Sequence, residues 1–187
     1  MAIQRIRITG DPVLHTRAAE VEEITDQIRN LITDMYETMD AAPGVGLAAP
    51  QIGVGLRIFV YDYEYRGERL RGVAINPKLE ISETSKDLPN EESEIEGCLS
   101  VPRERFPLKR AEHATLTAID IDGNDFELKV SGWMARIFQH EFDHLEGTLY
   151  VDRLIEPYKH EATEVIAAEG WGNPGLSWMP GEDFLEP

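Results

Sequence analysis

Hydrophobic side chains recur at helical spacing in one stretch of the C-terminal half of the chain. Residues 133–145 place apolar side chains over most of a helical wheel, and Gly147 follows as a typical helix stop. His140, Glu141 and His144 fall within the apolar arc. The other polar side chains share one narrow strip: Arg136, Gln139, Asp143 and Glu146. The pattern predicts a mostly buried helix that carries two histidines and a carboxylate inward.

A second helix and several strands are predicted from the same kind of pattern. Apolar residues at helical spacing over residues 24–39 indicate a helix, with Thr25 or Asp26 as its cap. Strand-like runs cover residues 1–9, 56–61, 72–75, 78–81, 114–121 and 126–130. Asn76-Pro77 is expected to separate two of these strands, and Asp122-Gly123-Asn124 to form a hairpin turn.

The composition changes after Leu154, which suggests a boundary. We expect residues 1–155 to form one catalytic domain and residues 156–187 to form a C-terminal helix, over 161–169, and an extended tail. The tail from residue 171 is rich in Gly and Pro, yet it contains apolar residues that a disordered tail would mostly avoid: Trp171, Leu176, Trp178, Met179, Phe184 and Leu185. We expect it to lie against the domain or a second copy and to contribute to stability rather than chemistry.

Charge and composition narrow the possible partners and location. The formal net charge of −17 disfavours DNA and general phosphate-backbone binding, which needs clustered Lys and Arg. The chain shows neither a charged-then-apolar leader nor an apolar run of membrane-spanning length, so a cytoplasmic location without membrane contact is expected. The single cysteine, Cys98, excludes an internal disulfide and makes this residue a candidate ligand or nucleophile.

The predicted helix at residues 133–145 has the spacing of a metal site. His140 and His144 are four residues apart and share one face, so both imidazoles can bind one ion, with Glu141 as a candidate general base. A buried His–Glu hydrogen-bond network is the alternative. Zinc-type and ferrous catalytic sites use three protein ligands. The upstream Cys98 is preferred as the third over two downstream candidates, Glu161 and Glu164.

Three motifs in order resemble those of the peptide deformylase family, whose members remove the formyl group from nascent polypeptides. GVGLAAPQ at residues 44–51 is similar to the first family motif, EGCLS at 96–100 to the second and QHEFDH at 139–144 to the third. The resemblance covers roughly residues 1–155. It implies an α+β fold with antiparallel strands packed around a central metal-binding helix.

The resemblance also implies a role for each motif residue. Three of them are expected to bind one divalent metal ion: Cys98, His140 and His144. Ferrous iron is the expected ion, with zinc or nickel as substitutes, because family members work best with iron. Glu141 is the implied general base. The side-chain amide of Gln51 and the backbone N–H of Leu99 are the implied donors to the negative charge that develops on the formyl oxygen.

Substrate contacts follow from the same comparison. A formylated peptide is expected to pair as an added strand between Val45-Gly46 and Gly97, with its first side chain in a pocket formed by Trp133 and Ile137. Nascent formylated polypeptides near the ribosome are the expected partners, and the sequence does not set the oligomeric state. Two arginines are open: Arg136 is either at the pocket rim or a surface charge, and Arg105 either meets the peptide or is solvated.

Two other functions compete with deformylation. An HExxH-type metallopeptidase would cleave amide bonds inside chains and would use a third ligand other than Cys98. A structural metal module, or a family member that has lost activity, would be non-catalytic. A structural site fills all four positions with protein ligands. The spacing of His15, His113 and His160 recommends none of them as a fourth ligand.

Overall fold

The computed structural model describes residues 2–183 and 185. Its helices are α1 (Asp26–Ala41), α2 (Gly132–Leu145) and α3 (Tyr158–Ala168). Its strands are β1 (Ile6–Arg7), β2 (Gly46–Ala48), β3 (Ile58–Tyr65), β4 (Glu68–Ile81), β5 (Ile95–Cys98), β6 (Val101–Pro107), β7 (His113–Ile119), β8 (Asp125–Ser131) and β9 (Ser177–Trp178). Two predicted helices are confirmed. Thr25 caps α1, and Gly147 follows the end of α2.

The strands form one large antiparallel sheet and two small ones. The large sheet has the order β2-β3-β4-β7-β8, while β5 pairs with β6 and β1 pairs with β9. Helix α2 packs on the large sheet through an aromatic cluster in which the rings of Tyr61 and Phe138 lie 5.1 Å apart. The expected α+β fold, with antiparallel strands around a central helix, is therefore confirmed.

The polar strip of α2 is buried rather than solvated. Gln139 donates to and accepts from the backbone of Ala111, and Asp143 accepts from Arg110 at 2.6 Å. Arg136 is also buried, so the alternative that it is only a surface charge is wrong. These side chains face the segment that joins β6 to β7, and each buried polar group has a partner there, as burial requires.

One predicted strand boundary is absent. The sequence predicts a break at Asn76-Pro77, but β4 runs through both residues with a register shift between Ile75 and Lys78. Asn76 adopts a φ of 50°, which asparagine tolerates better than most residues, and its side chain bonds both the N–H and the C=O of Val21. Strand β4 therefore continues through this local irregularity.

The C-terminal segment lies against the rest of the chain. Strand β9 pairs antiparallel with β1, and the Trp178 side chain is buried in the same apolar cluster as Ile6 and Met39. The expectation that the tail packs on this chain is confirmed for its described residues; Phe184 lies outside them. The division at residue 155 stays a prediction. Within the described residues, no helix is both long and apolar enough to cross a membrane.

Candidate metal centre

Three side chains from two distant segments meet beside α2. This helix supplies His140 and His144, one turn apart, with ring centroids separated by 5.0 Å. The end of β5 supplies Cys98, whose Sγ lies 3.3 Å from Nε2 of His144. One ligand atom from each of the three lies within 4.8 Å of the other two. The structure thus brings together the three residues that the sequence selects as metal ligands.

The donor set fits a divalent transition-metal ion. Zinc–nitrogen and zinc–sulfur bonds of about 2.0–2.3 Å place the ligands of one ion within roughly 4 Å of each other, close to the spacing found here. A thiolate with two imidazoles suits iron, nickel or zinc better than a hard ion such as magnesium. Three protein ligands leave a coordination position for water or substrate, as a catalytic rather than a structural site requires.

Glu96 fixes the orientation of His140. Its Oε1 atom lies 2.7 Å from Nδ1 of His140, which leaves Nε2 of that ring for a metal. Burial alone would raise the pKa of the Glu96 carboxyl, but the charge of Arg110 and the hydrogen bond from His140 hold that pKa well below its ordinary value. Glu96 is therefore a buried anion that stabilises one tautomer of its histidine.

Two buried arginines complete this support. Arg110 makes hydrogen bonds to both Glu96 oxygens, at 2.6 and 3.1 Å, and also reaches Asp143 at 2.6 Å. Arg136 donates to Glu96 at 2.9 Å and to the carbonyl of Leu108 at 2.8 Å. The sequence places Glu96 in the second motif but does not predict its role. The role of Glu96 could be inferred from one feature of the sequence: two buried histidines need a charged partner.

Glu141 is buried beside the three ligand candidates without being one of them. Its side chain is 4% exposed, and its Oε2 atom has no hydrogen-bond partner among the described residues. Burial raises the pKa of the Glu141 carboxyl to about 7. A carboxylate with a pKa near neutrality and an unused oxygen is suited to accept a proton from a group that enters the cavity.

The two candidate oxyanion donors both lie close to Cys98. Gln51 is almost fully buried, and its Oε1 accepts from the backbone N–H of Ala48 at 2.8 Å. This bond aims Nε2 toward Cys98 Sγ and Ser100 Oγ, at 3.7 and 3.5 Å. Leu99 follows Cys98 in the β5–β6 turn, and both Leu99 and Gln51 line the same cavity.

This cavity has a volume of about 370 Å³ and contains the predicted substrate contacts. All five line it: Val45, Gly46, Gly97, Trp133 and Ile137. Strand β2 is the terminal strand of its sheet, and β5 pairs with β6 alone in the described part of the chain, so each has an edge available for another strand. Arg105 and Arg136 also line the cavity.

The structure does not bring the downstream candidates to the site. Glu161 and Glu164 lie on α3, and neither belongs to the group of potential ligands found among the described residues. Tyr150, which follows α2, instead stacks on the His140 ring at 6.1 Å and donates its hydroxyl to the carbonyl of Glu104. The third ligand candidate, Cys98, therefore comes from the end of β5, upstream of α2.

An HExxH helix with a cysteine beside it, in an α+β fold, defines a class of metal-binding protein whose site has the ligand set of a catalytic centre. Comparison with known proteins identifies one family within that class. The chain belongs to the polypeptide deformylase family, whose model matches residues 3–160. It is therefore a hydrolase, and the deformylase activity is supported over that of an HExxH-type metallopeptidase.

Individual relatives agree with this assignment. The chain is 53% identical over 190 residues to a peptide deformylase of Mycolicibacterium paratuberculosis, covering 97% of this chain and 96% of the relative. It resembles the crystal structure of peptide deformylase from Thermus thermophilus with a TM-score of 0.76 and 39% identity, over 89% of this chain and 95% of that one. A Synechococcus elongatus peptide deformylase in complex with actinonin gives a TM-score of 0.75 and 36% identity, over 91% and 90% of the two chains.

Proposed function

We propose that this chain hydrolyses the N-formyl group of N-formylmethionyl nascent polypeptides with a divalent metal ion held by Cys98, His140 and His144. The observation that carries the proposal is the position of Glu141. This carboxylate is buried beside the three ligand candidates and faces a cavity flanked by two available strand edges. The site can therefore hold an extended peptide and deliver a proton acceptor to its end.

We propose ferrous iron as the native ion, with zinc or nickel able to substitute, because a thiolate and two imidazoles accept all three. When bound, such an ion supplies Lewis acidity that polarises a carbonyl and lowers the pKa of water. The protein contributes the ligand orientation: Glu96 holds the His140 ring by its Nδ1 atom, and the buried arginines hold Glu96.

Glu141 carries the proton transfers. As water adds to the formyl carbon, its carboxylate accepts the proton that the water loses. The same carboxyl then delivers that proton to the departing amine, so the C–N bond breaks to give formate and a free amino terminus. The raised pKa of Glu141, about 7 in the metal-free chain, lets one group serve as base and then as acid near neutral pH.

Gln51 and Leu99 act on the formyl oxygen, where negative charge develops during attack. The Nε2 atom of Gln51 is aimed at the region of Cys98 by the hydrogen bond from Ala48 to its Oε1. The Leu99 N–H belongs to the peptide immediately after the cysteine and requires no side-chain rearrangement. Loss of one such donor typically lowers kcat by a factor of ~10²–10³.

The substrate peptide is held as an additional strand. The backbone of Val45 and Gly46 borders it on one side and that of Gly97 on the other, while Trp133 and Ile137 bound the pocket for the methionine side chain. Trp133 is 40% exposed at the cavity mouth, whereas Ile137 is buried deeper. An unbranched apolar side chain matches a pocket with this apolar lining.

The proposed setting is the cytoplasm, where the polypeptide is met as it leaves the ribosome. The net charge of −17 argues against broad contact with DNA or ribosomal RNA, so recognition would be directed at the peptide itself. A sedimentation assay with translating ribosomes, at low and moderate salt, would test this association. Equal recovery of the protein with and without ribosomes would contradict it.

The decisive experiment is formate release from formyl-Met-Ala-Ser by the iron-loaded protein under anaerobic conditions. We expect turnover that Glu141→Gln lowers at least ~10²-fold while metal content stays the same, because only the proton acceptor is lost. Glu161→Gln, an exposed change on α3, is the matched control and should turn over like the parent.

Two results would contradict the proposal. Near-normal turnover by Glu141→Gln would show that another group is the base. Cleavage of internal amide bonds in an unformylated peptide, without formate release from the formylated one, would favour the metallopeptidase. Actinonin provides a further check, since the Synechococcus relative was solved with it. We expect it to inhibit the parent protein.

A further inference from the structure

The tail residue Trp178 contacts the turn that carries the metal-ligand candidate Cys98. Its indole Nε1 donates a 2.8 Å hydrogen bond to the carbonyl of Leu99, although 79 positions separate the two residues. The Trp178 side chain is 1% exposed and is among the largest fully buried side chains of the described residues. A buried indole N–H requires a partner, and here that partner is the backbone of the β5–β6 turn.

The segments next to β1 and β9 support the same turn. Thr9 donates its backbone N–H to the carbonyl of Ser100 at 2.8 Å, and Thr9 in turn accepts from the N–H of Gly172 at 3.0 Å. The N–H of Ile8 is bonded to the carbonyl of Leu176 at 3.0 Å. The C-terminal segment therefore reaches the turn directly, through Trp178, and indirectly, through the segment that follows β1.

These bonds fix the peptide plane next to the proposed oxyanion donor. The peptide between Leu99 and Ser100 is held at its oxygen by Trp178 and at its nitrogen by a 3.4 Å contact from the Ser100 N–H to Cys98 Sγ. Only the φ and ψ angles of Leu99 separate that plane from the Cys98–Leu99 peptide, which bears the Leu99 N–H. Anchoring one plane therefore restricts the direction of the neighbouring N–H.

We propose that Trp178 is a positioning residue for the Leu99 N–H donor, so that the C-terminal tail contributes to stabilisation of the transition state. This inference rests on the proposed deformylase function and extends the role expected of the tail from its sequence, which was stability alone. The donor N–H is useful only if it points at the developing charge before the reaction occurs, because catalysis of this kind depends on preorganised dipoles.

Two variants remove the indole N–H of Trp178, and only the second keeps a bicyclic ring system. In Trp178→Phe the donor and one ring are lost. In a second variant, amber suppression places β-(3-benzothienyl)alanine at position 178, which keeps the bicyclic shape and replaces N–H with sulfur. Trp171→Phe is the matched control: Trp171 packs on the same cluster, and its indole makes no hydrogen bond among the described residues. Each protein is loaded with iron and assayed with formyl-Met-Ala-Ser.

We expect both position-178 variants to lower kcat at least ~10-fold with KM within twofold of the parent, because a donor used only in the transition state affects kcat and kcat/KM equally. Metal content should not change, and Trp171→Phe should keep the parent kcat. Unchanged kcat in the benzothienyl variant would overturn the inference, even if Trp178→Phe unfolds. Loss of metal or an equal loss in Trp171→Phe would overturn it too. A parent without formate release would instead refute the proposed function.

Discussion

Oε1 of Glu141 lies so close to the backbone of Gly46 that a Cβ atom at position 46 would come within 2.3 Å of it. The glycine of the first motif is thus required by the carboxylate of the third. Strand β2, which carries Gly46, contacts α2, and the close approach at this point requires the absence of a side chain at position 46.

Gly46→Ala is therefore expected to displace the Glu141 carboxylate and to lower kcat for a formylated peptide by ~10²-fold, the typical effect of a misplacement of about 1 Å. Metal content should remain that of the parent, because Gly46 is not one of the ligand candidates. Gly55→Ala is the matched control, since its new Cβ would meet only a Val13 methyl group, at 3.9 Å. Equal kcat values for the two variants and the parent would show that the contact does not position the base.

The stability of the metal-free protein should depend on pH through Glu141. Its pKa is about 7 in the folded chain against an ordinary value of 4.5, so the folded state binds more protons than the unfolded state between these values. Stability therefore falls as pH rises from 4.5 to 7 and stays reduced above. A shift of this size corresponds to about 3 kcal/mol at pH 8.

Glu141→Gln removes this titration, so the variant should gain stability relative to the parent as pH rises from 5 to 8. Urea unfolding in the presence of a chelator measures the difference at each pH, and the change between the two pH values is the informative quantity. The same pair of measurements on Glu161→Gln gives the background. If the difference in unfolding free energy between variant and parent is the same at both pH values, the raised pKa of Glu141 is contradicted.

Cys98→Asp should still bind a divalent ion but prefer harder ones, because an oxygen ligand replaces a soft sulfur. Competition among iron, nickel and zinc, followed by elemental analysis of the recovered protein, reports the preference. The most sensitive version of this experiment exposes the parent and the variant to the same mixture of the three ions. Identical metal ratios in the two proteins would argue against Cys98 as a ligand.

Glu96→Gln should weaken metal binding by about 10–100-fold, since a carboxylate that accepts from a ligating histidine makes that ring a better donor. It should also destabilise the fold by ~3–5 kcal/mol, because Arg110 and Arg136 lose a buried partner. Chelator competition measures the first effect and urea unfolding the second. Glu94→Gln is the control: Glu94 lies 3.8 Å from Arg136 but makes no contact with His140 among those described. Equal metal affinity in both variants would remove Glu96 from the site.

The sequence allows the central helix and the ligand candidates to be predicted because both depend on local spacing. His144 lies four positions after His140, and the apolar arc around them requires burial. The Cys98 assignment also needed little more than the shortage of other candidates and the family motif. Each of these inferences uses residues within one segment or one recognised pattern, and the structure brings all three residues together.

Contacts between distant segments could not be predicted in this way. The periodicity of α2 separates a polar strip from an apolar arc, but it does not show that Arg110, 33 positions before Asp143, covers that strip. The hydrogen bond from Trp178 to Leu99 joins segments with no shared pattern. The continuity of β4 at Asn76 could not be predicted, because the Asn76 side chain is held by hydrogen bonds to Val21, a contact between distant segments.

The pairing of β1 with β9 has a consequence for biosynthesis. Trp178 is translated 172 positions after its partner Ile6, so the ribosome needs on the order of ten seconds or more to supply the second strand. Until then β1 and the turn after Cys98 lack their closing contacts. In a copy of this chain still attached to its own ribosome, the three metal-ligand candidates would therefore be synthesised before Trp178, which supports the turn beside them.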